Sequence, residues 1–475
     1  MVCLSVHFET LGCKLNQVES EGVARAFVNA GFTATMEPLT AAAAVDETVP
    51  LCIVNTCTVT AKAEQKARRI IRLLLTKFPS CVVVVTGCYA QLNKADLLAM
   101  DERVAVIGGQ NKGYLADVPS LILDNKNLTG ISLQKILQDF FDKKQSLSKP
   151  NEISAPFRLS TDTFINHSRS SLKIQDGCNA ACTYCRIRLA RGRSVSLDAQ
   201  EVIDRVQALE RAGQGEVVIT TVNIAQYRGK WKDGTIGFAA LLGLILENTE
   251  SIGIRISSLY PEIVTEELAE HLKNPRVRPH FHISVQSGSD TILAKMKRPY
   301  KIQAVFRAVE LLKQAKGNPF LACDIIAGFP GETDEDFALT MQMLEKCGFT
   351  FVHAFPFSAR PGTEAFEMRP MVPNYITDTR IKALEAFSAK SKTDYIKSFE
   401  GKILPAVCET VHRAKIMKER VIVHAVTENF LHCQLVFEPG SPNIPLAGSV
   451  VQVEIVRPLE SGERTGESDT LAKLV

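Results

Sequence analysis

The chain has 475 residues, of which 45% are hydrophobic and 23% charged, with 13 cysteines and a formal net charge of +3. That length calls for roughly two to four domains, and the composition is that of a folded soluble protein. No apolar run approaches the roughly 18 residues needed to span a bilayer, and so mild a charge neither requires nor excludes a nucleic-acid partner.

The segment Met1 to Thr10 lacks the basic start and apolar core of a signal peptide and reads as a strand. A cytoplasmic location is therefore expected. In a reducing cytosol, scattered cysteines in odd number point to metal or redox chemistry more than to disulfides.

Strand-like runs at Val6–Leu11, Cys52–Asn55 and Val82–Thr86 alternate with helix-period segments at Val18–Asn29 and Lys62–Phe78. Such alternation predicts an open parallel α/β sheet over residues 1–122, with a further strand at Val104–Ile107. Residues 123–163 read as a polar, Lys-rich linker. A second alternating series follows over 164–398, with strands at Leu172–Ile174, Val217–Thr221, Ile254–Ser258, His282–Gln286, Ala322–Ala327 and Phe351–Phe357. Six βα units predict a partial (β/α)6 barrel, whose chemistry belongs at the strand C-termini. A long helix near Ile376–Phe399 leads to Val421–Ala425, Leu431–Phe437 and Val450–Val456, which alternate as antiparallel strands do. A small antiparallel β-barrel is expected over 399–464, with 465–475 as a tail.

Directly after the first barrel strand stand Cys178, Cys182 and Cys185, in a C-x3-C-x2-C run. Three thiolates on one tight loop suit three irons of a cubane and leave the fourth iron open for a ligand. A structural zinc site asks for a fourth protein ligand, and none lies close in sequence. Cys13, Cys57 and Cys88 each fall just past a predicted strand of the first sheet, where the ends of parallel strands share a crevice. Cys3, Cys52, Cys81, Cys323, Cys347, Cys408 and Cys433 lack such placement and read as buried structural thiols. Glycine-bearing strand ends at Gln286-Ser287-Gly288-Ser289 and at Asp324 to Glu332 allow close backbone approach to a ligand.

The cysteine run resembles the defining motif of radical S-adenosylmethionine enzymes. Thr10-Leu-Gly-Cys-Lys-Leu-Asn-Gln17, Asn55-Thr-Cys-Thr-Val59 and Thr86-Gly-Cys-Tyr-Ala-Gln91 are similar to the three N-terminal motifs of the methylthiotransferases. Similarity continues through Ala190-Arg-Gly192, Ile254-Arg-Ile-Ser-Ser258 and His282 to Ser289, over nearly the whole chain. The resemblance implies two 4Fe–4S clusters, one on Cys178, Cys182 and Cys185 and an auxiliary one on Cys13, Cys57 and Cys88. It also implies S-adenosylmethionine, for which Tyr184, Ser258, Gln286, Ser287 and Asp324 are the candidate contacts. In the implied reaction one S-adenosylmethionine methylates a sulfur at the auxiliary cluster. A second is reduced to a radical that abstracts hydrogen from the substrate carbon. Adenine C2–H is not acidic, so ordinary acid–base catalysis has little to offer there. An electron donor such as a flavodoxin-type reductant is implied as well.

Departures from the family pattern are Arg186 and Arg188, where many relatives carry apolar residues and a proline, and the Thr221-Val-Asn-Ile-Ala225 segment. The Leu-Gly-Cys-Lys form at Cys13 resembles the branch acting on threonylcarbamoyladenosine in tRNA. Isopentenyladenosine in tRNA and an aspartate of a ribosomal protein are the alternative substrates. The last domain is placed like the family's RNA-binding TRAM barrel. Lys62, Lys66, Arg68, Arg69, Arg72 and Lys77, with Arg413, Lys415, Lys418 and Arg420, are candidate phosphate partners, although a solvated face explains such runs equally well. Two readings of other kinds stay open from the residues alone: a non-catalytic iron–sulfur RNA-binding regulator and a zinc-dependent structural protein.

Overall fold

The structure is a computed structural model and describes residues 4–125, 130–159, 169–413, 420–438 and 440–475. The first unit is a five-stranded parallel sheet of β1 (Ser5–Thr10), β2 (Thr33–Thr35), β3 (Leu51–Thr56), β4 (Val82–Gly87) and β5 (Val104–Val106). Its strand order is 2-1-3-4-5. Every residue of β3 and β4 is buried, as expected of central parallel strands that are apolar on both faces. Helix α1 (Lys14–Asn29) packs Val23 and Phe27 on one face, against Phe8 and Ile53. Helix α2 (Ala61–Lys77) packs Ile71 and Leu74 on the other, against Val83 and Val85. The chain changes face between β1 and β3, so the crevice of this sheet opens beyond their C-terminal ends.

The second unit has six parallel strands in two groups of three. Ser170–Lys173, Glu216–Thr220 and Gly253–Ile256 form one, and His280–Gln286, Phe320–Ala327 and Phe351–Pro356 the other. Bridges Ile254 to Val277 and Leu259 to Ile283 join them into one curved, open barrel. Amphipathic helices such as Ala199–Arg211 and Ile302–Lys316 cover its outside. The third unit is a closed barrel of Ile403–Arg413, Val421–Thr427, His432–Phe437, Val450–Pro458 and Thr470–Leu474.

Two expectations need correction. The stretch read as a linker contains a helix at Gly130–Ser146, whose Leu133, Leu137 and Phe141 recur every four residues and pack into the first core. Lys135 and Lys143 on the solvent side, and Gln134 and Gln138, which hydrogen-bond the backbone of β5 at Val104 and Val106, masked that stripe. The stretch read as a tail carries Thr470–Leu474, which pairs with two strands and closes the last barrel. A five-residue strand with one exposed lysine, Lys473, is too short a pattern to stand out in sequence.

The units are joined by buried charge. Arg255, 1% exposed, pairs with Glu216 at 2.7 and 3.0 Å and donates to the Thr427 carbonyl of the last barrel at 3.1 Å. Phe430 stacks on His280 at 3.8 Å at the same junction.

Candidate active site

The three strand ends of the first sheet are tied together by amides. Asn16 donates from Nδ2 to the carbonyls of Leu11 at 2.8 Å and Thr56 at 3.2 Å. Asn55 donates to the carbonyl of Asn16 at 3.0 Å, and Thr56 Oγ1 to that of Thr86 at 2.5 Å. Gly12 has φ +102°, and a Cβ there would stand 2.6 Å from Cys57 Cβ, so only glycine lets the β1 and β3 turns approach this closely. Cys13 caps α1, Cys57 follows β3, and Cys88 opens the short helix after β4.

Cys13, Cys57 and Cys88 are near enough to feel one another's charge. Burial pushes the Cys57 thiol up to about 11, and Cys88 and Cys13 add to the rise. Burial also raises Cys88, opposed by Arg191 and Lys112. Behind the cysteines lies a buried ion network. Lys112, Lys173 (3.0 Å) and Arg191 (3.2 Å) surround the fully buried Glu19, and Asp176 bonds Lys173 and Arg191 at 2.9 Å each. Three cations against two carboxylates leave positive charge next to thiols that burial alone would keep neutral. Burial works against the charged form of Arg191, and Glu19 and Asp176 more than restore it.

The barrel loop gathers the second set. The Ala180 N–H donates to Cys178 Sγ and the Ile187 N–H to Cys185 Sγ, each at 3.4 Å. Asn223 and Gln226 place side-chain amides 3.6 Å from Cys178 Sγ, and Arg298 Nη1 lies 3.5 Å from Cys182 Sγ. Donors of this kind hold and tune thiolate ligands. Burial raises the Cys185 thiol to about 12, and Cys182 and Cys178 contribute. Arg298 is fixed between Tyr260 and Tyr300, with ring centroids 4.8 and 4.9 Å away.

Among the described residues no three Cys, His, Asp or Glu side chains close on a point that would suit a single metal ion. Thiolates that hold different irons of a polynuclear cluster stand farther apart than the ligands of one ion. Two all-thiol triplets, each with N–H donors or cations beside it, have the donor chemistry of iron–sulfur sites.

A cavity of about 260 Å³ is bordered by Cys185 and by the loop that follows Cys57. Thr58, Val59 and Thr60 from the Cys57 loop form one wall, and Tyr184, Cys185 and Arg186 another. Gln286 reaches it from the end of its strand and Asp324 from within Phe320–Ala327, with Phe355 and Phe357 closing an apolar side. Gln286 sits at φ +71°, beside a register shift in its strand. A non-glycine residue held in that region marks a constraint at a functional surface. Asp324 is paired with His282 at 3.0 Å.

Of the cofactor contacts expected from sequence, Tyr184, Gln286 and Asp324 thus line the cavity. Ser258 and Ser287 do not. Ser258 faces Ser284 at 3.2 Å, and the fully buried Ser287 uses its hydroxyl to accept the Ser289 N–H. Sequence reasoning missed Arg298, Gln226, Glu64 and Arg360, which lie far from the cysteines in sequence or on an ordinary helix turn, and noted Asn223 only as part of the unusual Thr221–Ala225 segment. Cys52, Cys81, Cys323, Cys347, Cys408 and Cys433 are buried away from both triplets; Cys3 lies outside the described residues. On α2, Lys62, Lys66, Arg69 and Arg72 are exposed, whereas Arg68 bonds the Tyr89 hydroxyl at 2.8 Å and Lys77 a backbone carbonyl at 2.5 Å. Arg420 pairs with Glu438 at 2.9 Å; the Arg413 side chain, Lys415 and Lys418 lie outside the described residues.

A radical SAM superfamily model matches residues 172–344, and a model described as uncharacterized protein family UPF0004 matches residues 5–109. The threonylcarbamoyladenosine tRNA methylthiotransferase MtaB of Treponema pallidum is 42% identical over 95% of this chain and 98% of its own length. The chain belongs to the radical SAM methylthiotransferase family. A second methylthiotransferase of the same description, from Bacillus subtilis, is 32% identical over 95% of this chain and 94% of its own. Among solved structures, the radical S-adenosylmethionine methyltransferase TsrM from Kitasatospora setae covers 76% of the chain and 77% of its own. Its TM-score is 0.50 at 14% identity, a likeness of fold alone. Within the methylthiotransferase frame, the UPF0004 match ends at Gly109 and so takes in Cys13, Cys57 and Cys88, while the radical SAM match takes in the other three. No described helix of this methylthiotransferase is long and apolar enough to cross a membrane.

Proposed function

We propose that this protein inserts a methylthio group at C2 of threonylcarbamoyladenosine in tRNA, with Cys178, Cys182 and Cys185 holding one 4Fe–4S cluster and Cys13, Cys57 and Cys88 the other. One observation carries the reading: a single cavity is lined both by Thr58 to Thr60, next to Cys57, and by Cys185 itself. A molecule bound there touches the surroundings of both triplets, as a reaction needing a radical and a sulfur on one carbon requires. When bound, the clusters supply one-electron reduction of S-adenosylmethionine and a source of sulfur.

The chain's own residues bind, orient and shield. Tyr184, held edge-on against Phe329 at 6.5 Å, and the rings of Phe355 and Phe357 give the cavity an apolar side that keeps water from a reactive intermediate. Gln286 and Asp324 are the polar groups that orient an adenosine or amino-acid moiety. Arg298, Asn223 and Gln226 hold the barrel thiolates in place, and Arg191 and Lys112 offset charge at the other set. The exposed basic residues of α2, beginning five residues after Cys57 at Lys62, provide a surface for RNA phosphates in a cytoplasmic enzyme.

Mass spectrometry of tRNA nucleosides from cells with and without the gene tests this reading. Loss of the methylthio derivative of threonylcarbamoyladenosine alone supports it. Loss of the isopentenyladenosine derivative instead reassigns the substrate, and unchanged tRNA removes tRNA as the target.

A further inference from the structure

Three segments meet at one carboxylate beside the cavity. Glu64 lies in the first turn of α2, Arg186 directly follows Cys185, and Arg360 belongs to the loop after the last barrel strand. Glu64 Oε1 accepts from Arg186 Nη1 at 3.1 Å, and also from Arg360 Nη2 and Thr58 Oγ1. Both guanidiniums reach Thr58 Oγ1 as well, at 3.3 and 3.4 Å. Two guanidiniums on a single carboxylate oxygen leave one positive charge over, in a place where Arg360 is only 4% exposed.

That surplus is also short of acceptors. The Nε atoms of Arg186 and Arg360 are buried and have no hydrogen-bond partner. Among the described residues Arg186 engages only Nη1, so its Nε–Nη2 edge, the fork that matches a carboxylate, is unused by the protein. Buried donors without acceptors are costly, and a native protein that keeps them has a use for them. Arg186 and Thr58 line the cavity; the other charged side chain in its wall, Asp324, already has His282. The cavity therefore has one cationic corner, set against aromatic and aliphatic walls.

We propose that Arg186, held by Glu64 and Arg360, is the specificity-determining residue that reads the free carboxylate of the threonylcarbamoyl group. It thereby sets the substrate apart from adenosines whose N6 substituent is a neutral hydrocarbon. The inference rests on the substrate reading above and assigns the side chain that enforces it. A hydrocarbon substituent placed at this corner leaves the guanidinium edge buried and unpaired, and rejection of that kind is far stronger than rejection on shape alone.

The test is equilibrium binding of the reconstituted full-length protein to three anticodon stem-loop RNAs. One carries threonylcarbamoyladenosine, one carries the same group with its carboxylate converted to a carboxamide, and one is unmodified. The wild-type protein is expected to prefer the acid over the amide by about tenfold or more, the scale of one charge-assisted hydrogen bond. Arg186→Gln should lose most of that preference by weakening the acid RNA and leave the amide RNA unchanged. Arg186→Lys should keep part of it, because charge survives and the fork does not. Equal weakening of both RNAs by Arg186→Gln, or a wild-type protein that binds acid and amide equally but better than unmodified RNA, overturns the assignment of Arg186. Weaker S-adenosylmethionine binding by Arg186→Gln with the RNA preference intact gives the carboxylate to the cofactor and also overturns it. A wild-type protein that favours neither modified RNA over the unmodified one brings down the substrate reading itself.

Discussion

Arg191 donates from Nη2 to Asn16 Oδ1 at 2.7 Å, across 175 residues of sequence. Arg191 ends the short helix after the barrel's cysteine loop, and Asn16 is the amide that binds the ends of β1 and β3 together. The bond therefore fixes one cysteine triplet relative to the other. Glu19 and Asp176 accept from the same guanidinium at 3.2 and 2.9 Å, so the link is a charged network in a dry interface.

Removing that cation should be expensive. Arg191→Met leaves Glu19 and Asp176 buried with Lys112 and Lys173 alone, and loss of one partner of a buried network costs about 3–5 kcal/mol. Urea unfolding of the anaerobically purified variant should show a lower midpoint. Iron bound at the N-terminal set should fall before iron at the barrel set.

The two triplets should fail separately. Cys182→Ala is expected to abolish formation of 5′-deoxyadenosine on reduction while leaving the auxiliary cluster. Cys57→Ala should keep cofactor cleavage and stop methylthio insertion. In each variant about half of the iron should remain, as expected for two clusters of equal size. Methylthiolated product from the Cys57 variant would refute this division of labour.

Gly12→Ala tests the approach of β1 to β3. Its Cβ would stand 2.6 Å from Cys57 Cβ at φ +102°, so both sterics and backbone oppose it. The expected cost exceeds about 1 kcal/mol. The Cys57 thiol should be displaced as well, so that iron content drops while S-adenosylmethionine cleavage at the barrel persists.

Acid should loosen the junction with the last barrel. Burial pushes the Glu216 carboxyl up, but Arg255 first, with Arg169 and Arg278, holds it down at about 2. A depressed carboxylate contributes its stability above the ordinary value of 4.5 and loses it as pH falls toward 2. Protection of Val421–Thr427 against hydrogen exchange, taken relative to the intrinsic rate at each pH, should fall over that interval in the wild type. Glu216→Gln, which leaves Arg255 uncompensated, should show fast exchange at neutral pH already and little further change with acid.

Phe430→Ala should loosen the same junction without any charge change. Phe430 stacks on His280 and meets Phe320 edge-on at 5.8 Å, with Arg255 over its face at 5.3 Å. Loss of a fully buried aromatic costs about 3–5 kcal/mol, and the half-buried Phe430 should cost less than that. Limited proteolysis should then release the C-terminal barrel from an otherwise intact core.

Much of this architecture is local and so was legible in the chain. Alternation of Val82 to Val85 with the stripe of Ile70, Ile71 and Leu74 declares a parallel strand and its covering helix, because side-chain direction follows the 2.0 and 3.6 periods. Cys178, Cys182 and Cys185 share one loop, and their spacing suits three irons of a cubane. Cys13, Cys57 and Cys88 could be grouped because all follow parallel strands, whose ends must lie together. The helix at Gly130–Ser146 escaped because its polar residues outnumber a narrow apolar stripe, and the strand at Thr470–Leu474 because five residues are too few to show a period.

What only the tertiary structure decided is contact across long separations. Glu64 with Arg186 and Arg360, Arg298 with Cys182, and Arg191 with Asn16 join residues that no periodicity relates. Charge and hydrogen-bonding partners in a buried interface are set by how domains dock, and docking depends on the summed fit of whole surfaces. The sequence by itself determined the two cysteine sets and the three folds that carry them. The docking decided that Cys185 and the loop after Cys57 border one cavity and that the cavity has a cationic corner.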